Sequence, residues 1–225
     1  MAEGATPRVL VEWRNRVIAE YTSAAYTAQA LHWMIQAALP EGLQDTAVRI
    51  VGDELAHARL SYECLVALGG ASEPVVLDRD RLAMPASEGL LAALVDSIGR
   101  NFCFGETFAV PLFAEMRRRA THPAVRPVLD RVLRDESVHR AFGWDALDAL
   151  IEHDPEGVRG RVASKIPGWR TAFHRAYGDP PQGPPLLPEE EAMGLLPVHE
   201  YARIHEVTWQ EDLVPRFGRR GIAAG

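Results

Sequence analysis

The chain predicts an all-α fold: an antiparallel four-helix bundle with a long crossover between its second and third helices. Three observations predict it. Four long stretches carry apolar residues at steps of three and four, the spacing of a helix with one buried face. Residues 70–86, with Pro74 and Pro85, lack that periodicity and exceed the usual helix-to-helix connection, which suits a crossover. The pattern Asp-Glu-x-x-His occurs twice, at residues 53–57 and 135–139, once in the second stretch and once in the fourth. Residues 1–153 are assigned to the bundle and 154–225 to a helical extension packing on it.

Composition narrows the class. At 225 residues and 47% hydrophobic, the chain can build a substantial core in one domain with an appendage. No apolar run approaches the roughly 20 residues that span a bilayer, and the N-terminus lacks a basic segment followed by an apolar one, so the expectation is a cytoplasmic protein with no membrane partner. Cys64 and Cys103 read as free thiols buried in helices. A net charge of -7 argues against a nucleic-acid partner. The one basic run, Arg117-Arg118-Arg119, closes a helix, where cations complement the dipole. Lys165 is the only lysine among 24 basic residues, and this Arg-, Ala- and Gly-rich usage suggests a bacterial source with a GC-rich genome.

The first helix is expected from Pro7 to about Leu39, with an inward stripe of Val17, Glu20, Ala24, Thr27 or Ala28, and Leu31. Glu20 sits among small and apolar residues, where a lone carboxylate is costly. A metal would remove that cost, and so would a pair with Arg16. The second helix, from about Leu43 to Leu68, stops at Gly69-Gly70 and turns Ile50, Glu54, His57, Ser61 and Leu68 inward. The third, from about Ser87 to Arg119, carries Ile98, Phe102, Cys103 and Glu106, with Pro111 expected to kink it near the site. The fourth, from about Ala124 to Ile151, turns Leu129, Val132, Glu136, His139, Gly143 and Leu147 inward. Residues 155–176 suggest a further helix cut by Pro167-Gly168. Residues 178–185 suggest an extended linker, and a last helix is expected from Pro188 or Pro197 to about Phe217. That tail would cap the bundle, close over the site or serve a homodimer.

The order of inward polar residues is Glu20, Glu54-x-x-His57, Glu106, Glu136-x-x-His139. Residues three apart share a helix face, so each Glu and His can meet at one point. Carboxylate oxygen with imidazole nitrogen suits iron or manganese better than calcium. Four carboxylates neutralise two divalent ions, with one His for each. Asp53 and Asp135 point about 100° away from their Glu neighbours, given 3.6 residues per turn. They are expected either to accept the free N–H of a ligating His on the facing helix or to pair with Arg49, Arg131 or Arg140.

This set resembles the ferritin-like di-iron carboxylate superfamily over roughly residues 7 to 153. The Asp-Glu-x-x-His form is similar to its oxygen-activating branches, such as fatty-acyl desaturases, bacterial multicomponent monooxygenase hydroxylases and ribonucleotide reductase small subunits. The order and compact size are similar to rubrerythrins, aldehyde-deformylating oxygenases and the tRNA-hydroxylase group. Residues 135–143 look most like the compact oxygenases. The resemblance implies two Fe ions, or a Mn/Fe pair, reacting with O2 or peroxide. Two departures matter. No Cys-x-x-Cys pair is present, so the iron–sulfur-type domain of typical rubrerythrins is missing. Val132 stands where arylamine N-oxygenases carry an extra His.

The expected function is therefore an O2-dependent oxygenase or oxidase of a small, largely apolar organic substrate, with electrons from an external reductase or ferredoxin. The alternatives are a ferroxidase or peroxide scavenger, and a bundle whose acids are merely salt-bridged. Small residues on the inward faces leave room for a substrate. Ala24, Thr27, Ser61, Cys103, Gly105 and Gly143, walled by Phe102, Phe108 and Phe113, are the expected pocket, against the alternative that small residues only let helices approach. His199 and His205 are expected at the surface, against the alternative that one of them approaches the site.

Overall fold

The computed structural model describes residues 4–84, 88–178 and 184–224, and no strand occurs among them. Helix α1 spans Pro7–Gln36. Thr6 caps it, its hydroxyl accepting from Val9 N, and Pro7 occupies the first turn, where a missing N–H costs nothing. Helix α2 spans Glu41–Ala67 and ends as the glycine signal requires. Gly69 takes φ +92°, and Gly70 N donates to Leu65 O at 2.9 Å.

The connection to the next long helix contains a 3-10 turn, Arg79–Leu82, that packs against α1. Met84 N donates to Gln29 Oε1 at 3.2 Å, so the connection runs back over α1. The expected helix start at Ser87 lies outside the described residues. Helix α3 begins at Leu90 and is composite. It is α-helical over Leu90–Ser97, π-helical over Ile98–Glu106, and α-helical again over Thr107–Arg119. The sequence suggests a uniform α-helix here; the widened middle segment carries no periodicity signal of its own.

Helix α4 spans Arg126–His153. Helix α5 spans Pro155–Phe173 without a break and runs into a π turn, His174–Gly178. The expected cut at Pro167 does not occur: the helix runs through Pro167, which lies on its exposed face. A short helix α6, Pro188–Ala192, precedes α7, which is α-helical over Val198–Thr208, π-helical over Trp209–Leu213 and α-helical over Val214–Arg219. No described helix is long and apolar enough to cross a membrane.

The four long helices touch in a ring. Helix α1 lies along α2, α2 faces α4, α4 packs on the π segment and the later half of α3, and the start of α3 returns to α1. The inward stripes agree with the expected ones, with small shifts. On α1, Thr27 is buried and Ala28 is exposed, and Ala30 and Met34 take the place expected of Leu31.

The C-terminal helices share the same core. Phe104, fully buried on the π segment, has Trp169, Phe173, Trp209 and Phe217 around it at centroid distances of 5.6–5.8 Å. Arg119 links α3 to this region by pairing with Glu191 at 2.8 Å and Glu200 at 2.6 Å, while Arg117 and Arg118 pair with Asp130 and Glu115. The basic run is therefore taken up in ion pairs.

Candidate metal centre

Six polar side chains converge inside the ring of helices. Glu20 comes from α1, Glu54 and His57 from α2, Glu106 from the last residue of the π segment, and Glu136 and His139 from α4; all six are buried. Two groups have ligand atoms close enough to hold a metal ion: Glu20, Glu54, His57 and Glu136, and then Glu54, Glu106 and His139. Glu54 belongs to both. Its Oε2 lies 3.5 Å from His57 Nδ1 and its Oε1 3.4 Å from His139 Nδ1. Glu136 is divided likewise, Oε1 at 3.9 Å from His57 Nδ1 and Oε2 at 3.4 Å from His139 Nδ1. The two rings stand 5.9 Å apart.

Glu54 Oε2, Glu136 Oε2 and the Nδ1 atoms of both His are buried without a hydrogen-bond partner. Leaving such groups unsatisfied costs roughly 1–3 kcal/mol each. A cation placed among them satisfies all four at once, so the donor set fits a metal ion. The alternative pair for Glu20 is not made. Arg16 turns away to the Gly194 carbonyl at 2.6 Å and to Glu12 at 3.5 Å.

The charges need compensation. Burial pushes the Glu20 carboxyl up to about 7, with the nearby Glu54 charge adding to the effect. Burial and the Glu54 charge lift Glu136 to about 8. Glu106 is raised well above the usual range by burial and then by Glu136. Burial opposes charge on His57, yet the facing carboxylates of Glu20 and Glu54 hold its pKa up at about 11. Burial also works against a charged Glu54, but the two His outweigh it and hold its carboxyl low. Without metal, protons fill the place of cations.

Asp135 does both things that the sequence allowed, whereas Asp53 pairs with arginine and leaves its Oδ2, like His139 Nε2, without a hydrogen-bond partner. His57 Nε2 donates to Asp135 Oδ2 at 3.1 Å, leaving Nδ1 facing the carboxylates. His139 Nε2 lies 3.7 Å from Asp53 Oδ2. Arg131 donates to Asp135 and, at 2.9 Å, to Asp53, joining the two behind the His rings. Arg49 reaches Asp53 at 3.5 Å, whereas Arg140 pairs with Asp212.

A cavity of about 650 Å³ adjoins Glu106. Thr27, Phe102 and Gly105 line it, together with Phe108, Leu112 and Phe113. The other expected pocket residues are placed differently. Ala24 and Ser61 are buried but do not line it. Cys103 is turned toward α4 and donates its thiol to the Gly143 carbonyl at 3.3 Å. Gly143 is a point of close helix approach: a Cβ there would meet Phe102 Cβ at 2.6 Å and Phe102 C at 2.9 Å. At Gly105 a Cβ would meet only Arg100 O at 3.7 Å. The room is beside Gly105, and Gly143 serves packing.

Several residues escaped sequence reasoning. Ser23, one turn beyond Glu20, donates to Glu54 Oε1 at 2.7 Å and lines the cavity. Its i+3 spacing from Glu20 was the available signal. Tyr177 and Tyr201 close the cavity from the C-terminal region, stacked at 6.1 Å. His199 is exposed beside Glu200, as expected of a surface residue. His205 departs from that expectation: it is buried and stacked on Phe108 at 4.8 Å, and it does not join the Glu/His groups. Compared with known proteins, the chain matches no protein-family model and no curated protein, so the site's geometry and chemistry carry the functional argument.

Proposed function

We propose that this chain is a ferritin-like four-helix bundle, residues 1–153, with a C-terminal extension, 154–225, and that it is a di-iron oxygenase of a small, largely apolar organic molecule. The ring of contacts among α1, α2, α4 and α3, with a connection passing back over α1, supports the bundle with its crossover. The split approach of Glu54 and Glu136 to both His supports room for two ions, which Glu54 and Glu136 together with the flanking residues would hold. Glu20 and His57 complete one side, Glu106 and His139 the other.

Bound iron would supply the redox chemistry for activating O2 with electrons from an external donor. The protein's own residues do the rest. Asp135, joined to Asp53 through Arg131, orients the His57 ring so that its Nδ1 would face a bound ion. Ser23 orients Glu54. The aromatic walls from α3, α5 and α7 would hold an apolar body beside Glu106.

The observation that carries the oxygenase reading is the cavity opening on Glu106 through Gly105. A protein that only oxidises ferrous iron or removes peroxide has no use for an apolar chamber of that size. The test is elemental analysis after anaerobic iron loading, followed by O2 uptake of the reduced protein with and without small apolar compounds. About two irons per chain are expected, with O2 uptake quickened by a fitting compound. Gly105→Leu, which fills the chamber, should abolish that quickening and keep the iron. Rapid ferrous-iron or peroxide turnover, indifferent to Gly105→Leu and to every compound, would put the ferroxidase or scavenger reading in its place.

A further inference from the structure

The cavity has a second chemical end. Arg16 lines it one helical turn before Glu20, and Arg16 is 7% exposed. Its guanidinium is held from three sides. Nη2 donates to the Gly194 carbonyl at 2.6 Å and contacts Met116 Sδ at 3.2 Å, Nε approaches Glu12 Oε1 at 3.5 Å, and the group lies 4.6 Å over the Trp13 ring. Nη1 is buried with no partner. A buried cationic N–H without an acceptor is costly, and the rest of the side chain is too well anchored to turn Nη1 toward water.

Resting on the oxygenase reading above, we propose that the substrate is an organic acid whose carboxylate binds Arg16 Nη1 and whose apolar body runs toward Glu106. Three observations fix this direction. The side chain that lines the metal end is the Glu106 carboxyl, which gives an acid head no cationic partner in the metal-free chain, whereas Arg16 lines the other end. The stretch between is apolar, with Phe108, Leu112 and Phe113 along it. Arg16 touches Met116, ten residues along α3 from Glu106, so the two ends of the cavity are about three helical turns apart along α3. Glu12 also lines this end and is the one anion competing for the guanidinium, at a long 3.5 Å. A planar carboxylate suits the guanidinium fork better than a single distant oxygen.

The test uses the metal-free full chain, so that a carboxylate cannot bind through iron. Sodium decanoate and 1-decanol are titrated by calorimetry into the wild type, Arg16→Gln, Arg16→Lys and Glu12→Gln. The wild type should bind decanoate about tenfold or more tightly than decanol, the worth of one charge-assisted hydrogen bond. Arg16→Gln should erase that preference while decanol still binds, which also shows that the variant is folded. Arg16→Lys should restore part of it. Glu12→Gln, a change at a partly exposed site, should strengthen decanoate alone. Equal binding of acid and alcohol by the wild type, or a preference that survives Arg16→Gln, would overturn the proposal. The oxygenase reading stands or falls separately, on iron content and O2 uptake.

Discussion

At the scale of single residues, the site is a balance between protons and metal. Glu20 and Glu136 have carboxyls raised to about 7 and 8, and His57 is raised to about 11. A group whose pKa is raised by folding stabilises the fold fully below its unfolded value and loses that contribution as pH rises through its folded value. For the two Glu the loss runs from about pH 4.5 up to about 8, and for His57 from about 6.5 up to about 11. The metal-free protein should therefore melt at a falling temperature between pH 5 and pH 8. Manganese(II), a stable stand-in for ferrous iron, should raise the melting point most at pH 8, where fewer protons compete for the ligands. A metal-free melting point that rises over this range would contradict the shared-proton account. Behind the rings, Asp135→Asn keeps the shape but removes the charge that His57 and Arg131 meet. It should weaken metal affinity about 10–100-fold in a chelator competition while retaining stoichiometry. Glu136→Ala, by contrast, removes a side chain that faces both His and should strip the metal.

At the scale of elements, the legible and the hidden features separate along a physical line. The helices, the buried faces of Glu54, His57, Glu136 and His139, and the stop at Gly69 were readable because each follows from local spacing or a backbone requirement. The π segment was not, since i→i+5 bonding leaves no mark in apolar periodicity and arises from what α3 packs against. The pocket was half readable for a related reason. A small residue on an inward face signals either room or close approach, and only the neighbouring helix decides which. Gly105 and Gly143 show the two outcomes. Their alanine variants should differ accordingly. Gly143→Ala forces α4 away from Phe102 and should cost roughly 1–3 kcal/mol, read as a lowered urea midpoint. Gly105→Ala meets only ordinary contact and should leave the midpoint within about 1 kcal/mol of the wild type. Equal losses would mean that Gly105 is also a packing glycine and that the chamber beside it is not open to a larger side chain. The tail was equally illegible, because Tyr177 and Tyr201 reach the cavity, and His205 reaches Phe108, through contacts far away in sequence.

At the scale of the whole molecule, the C-terminal helices and the helices that carry the Glu/His cluster share one apolar core, and Phe104 is where they join. It lies two residues before Glu106 on the π segment, and its ring meets aromatic residues of α5 and α7 on several sides. The neighbouring Gly99 carries the same message: a Cβ there would strike the Trp169 ring at 2.3 Å, so α5 sits directly on the widened part of α3. An element that places a candidate metal ligand on one face and the tail on the other couples the two. Loosening the tail should therefore loosen the π segment and Glu106 with it. Phe104→Ala should lower stability by about 3–5 kcal/mol, the usual loss for a large buried aromatic. It should also speed metal release, although Phe104 touches no ligand. Hydrogen exchange by segment separates this from a tail that merely rests on a finished bundle. In the wild type, residues 158–169 and 204–217 should exchange with the same opening free energy as 128–147, and Phe104→Ala should lower all three together. Exchange of the C-terminal segments by a separate, lower-energy opening, with protection at 128–147 and metal retention unchanged in the variant, would show that the tail and the site are independent units.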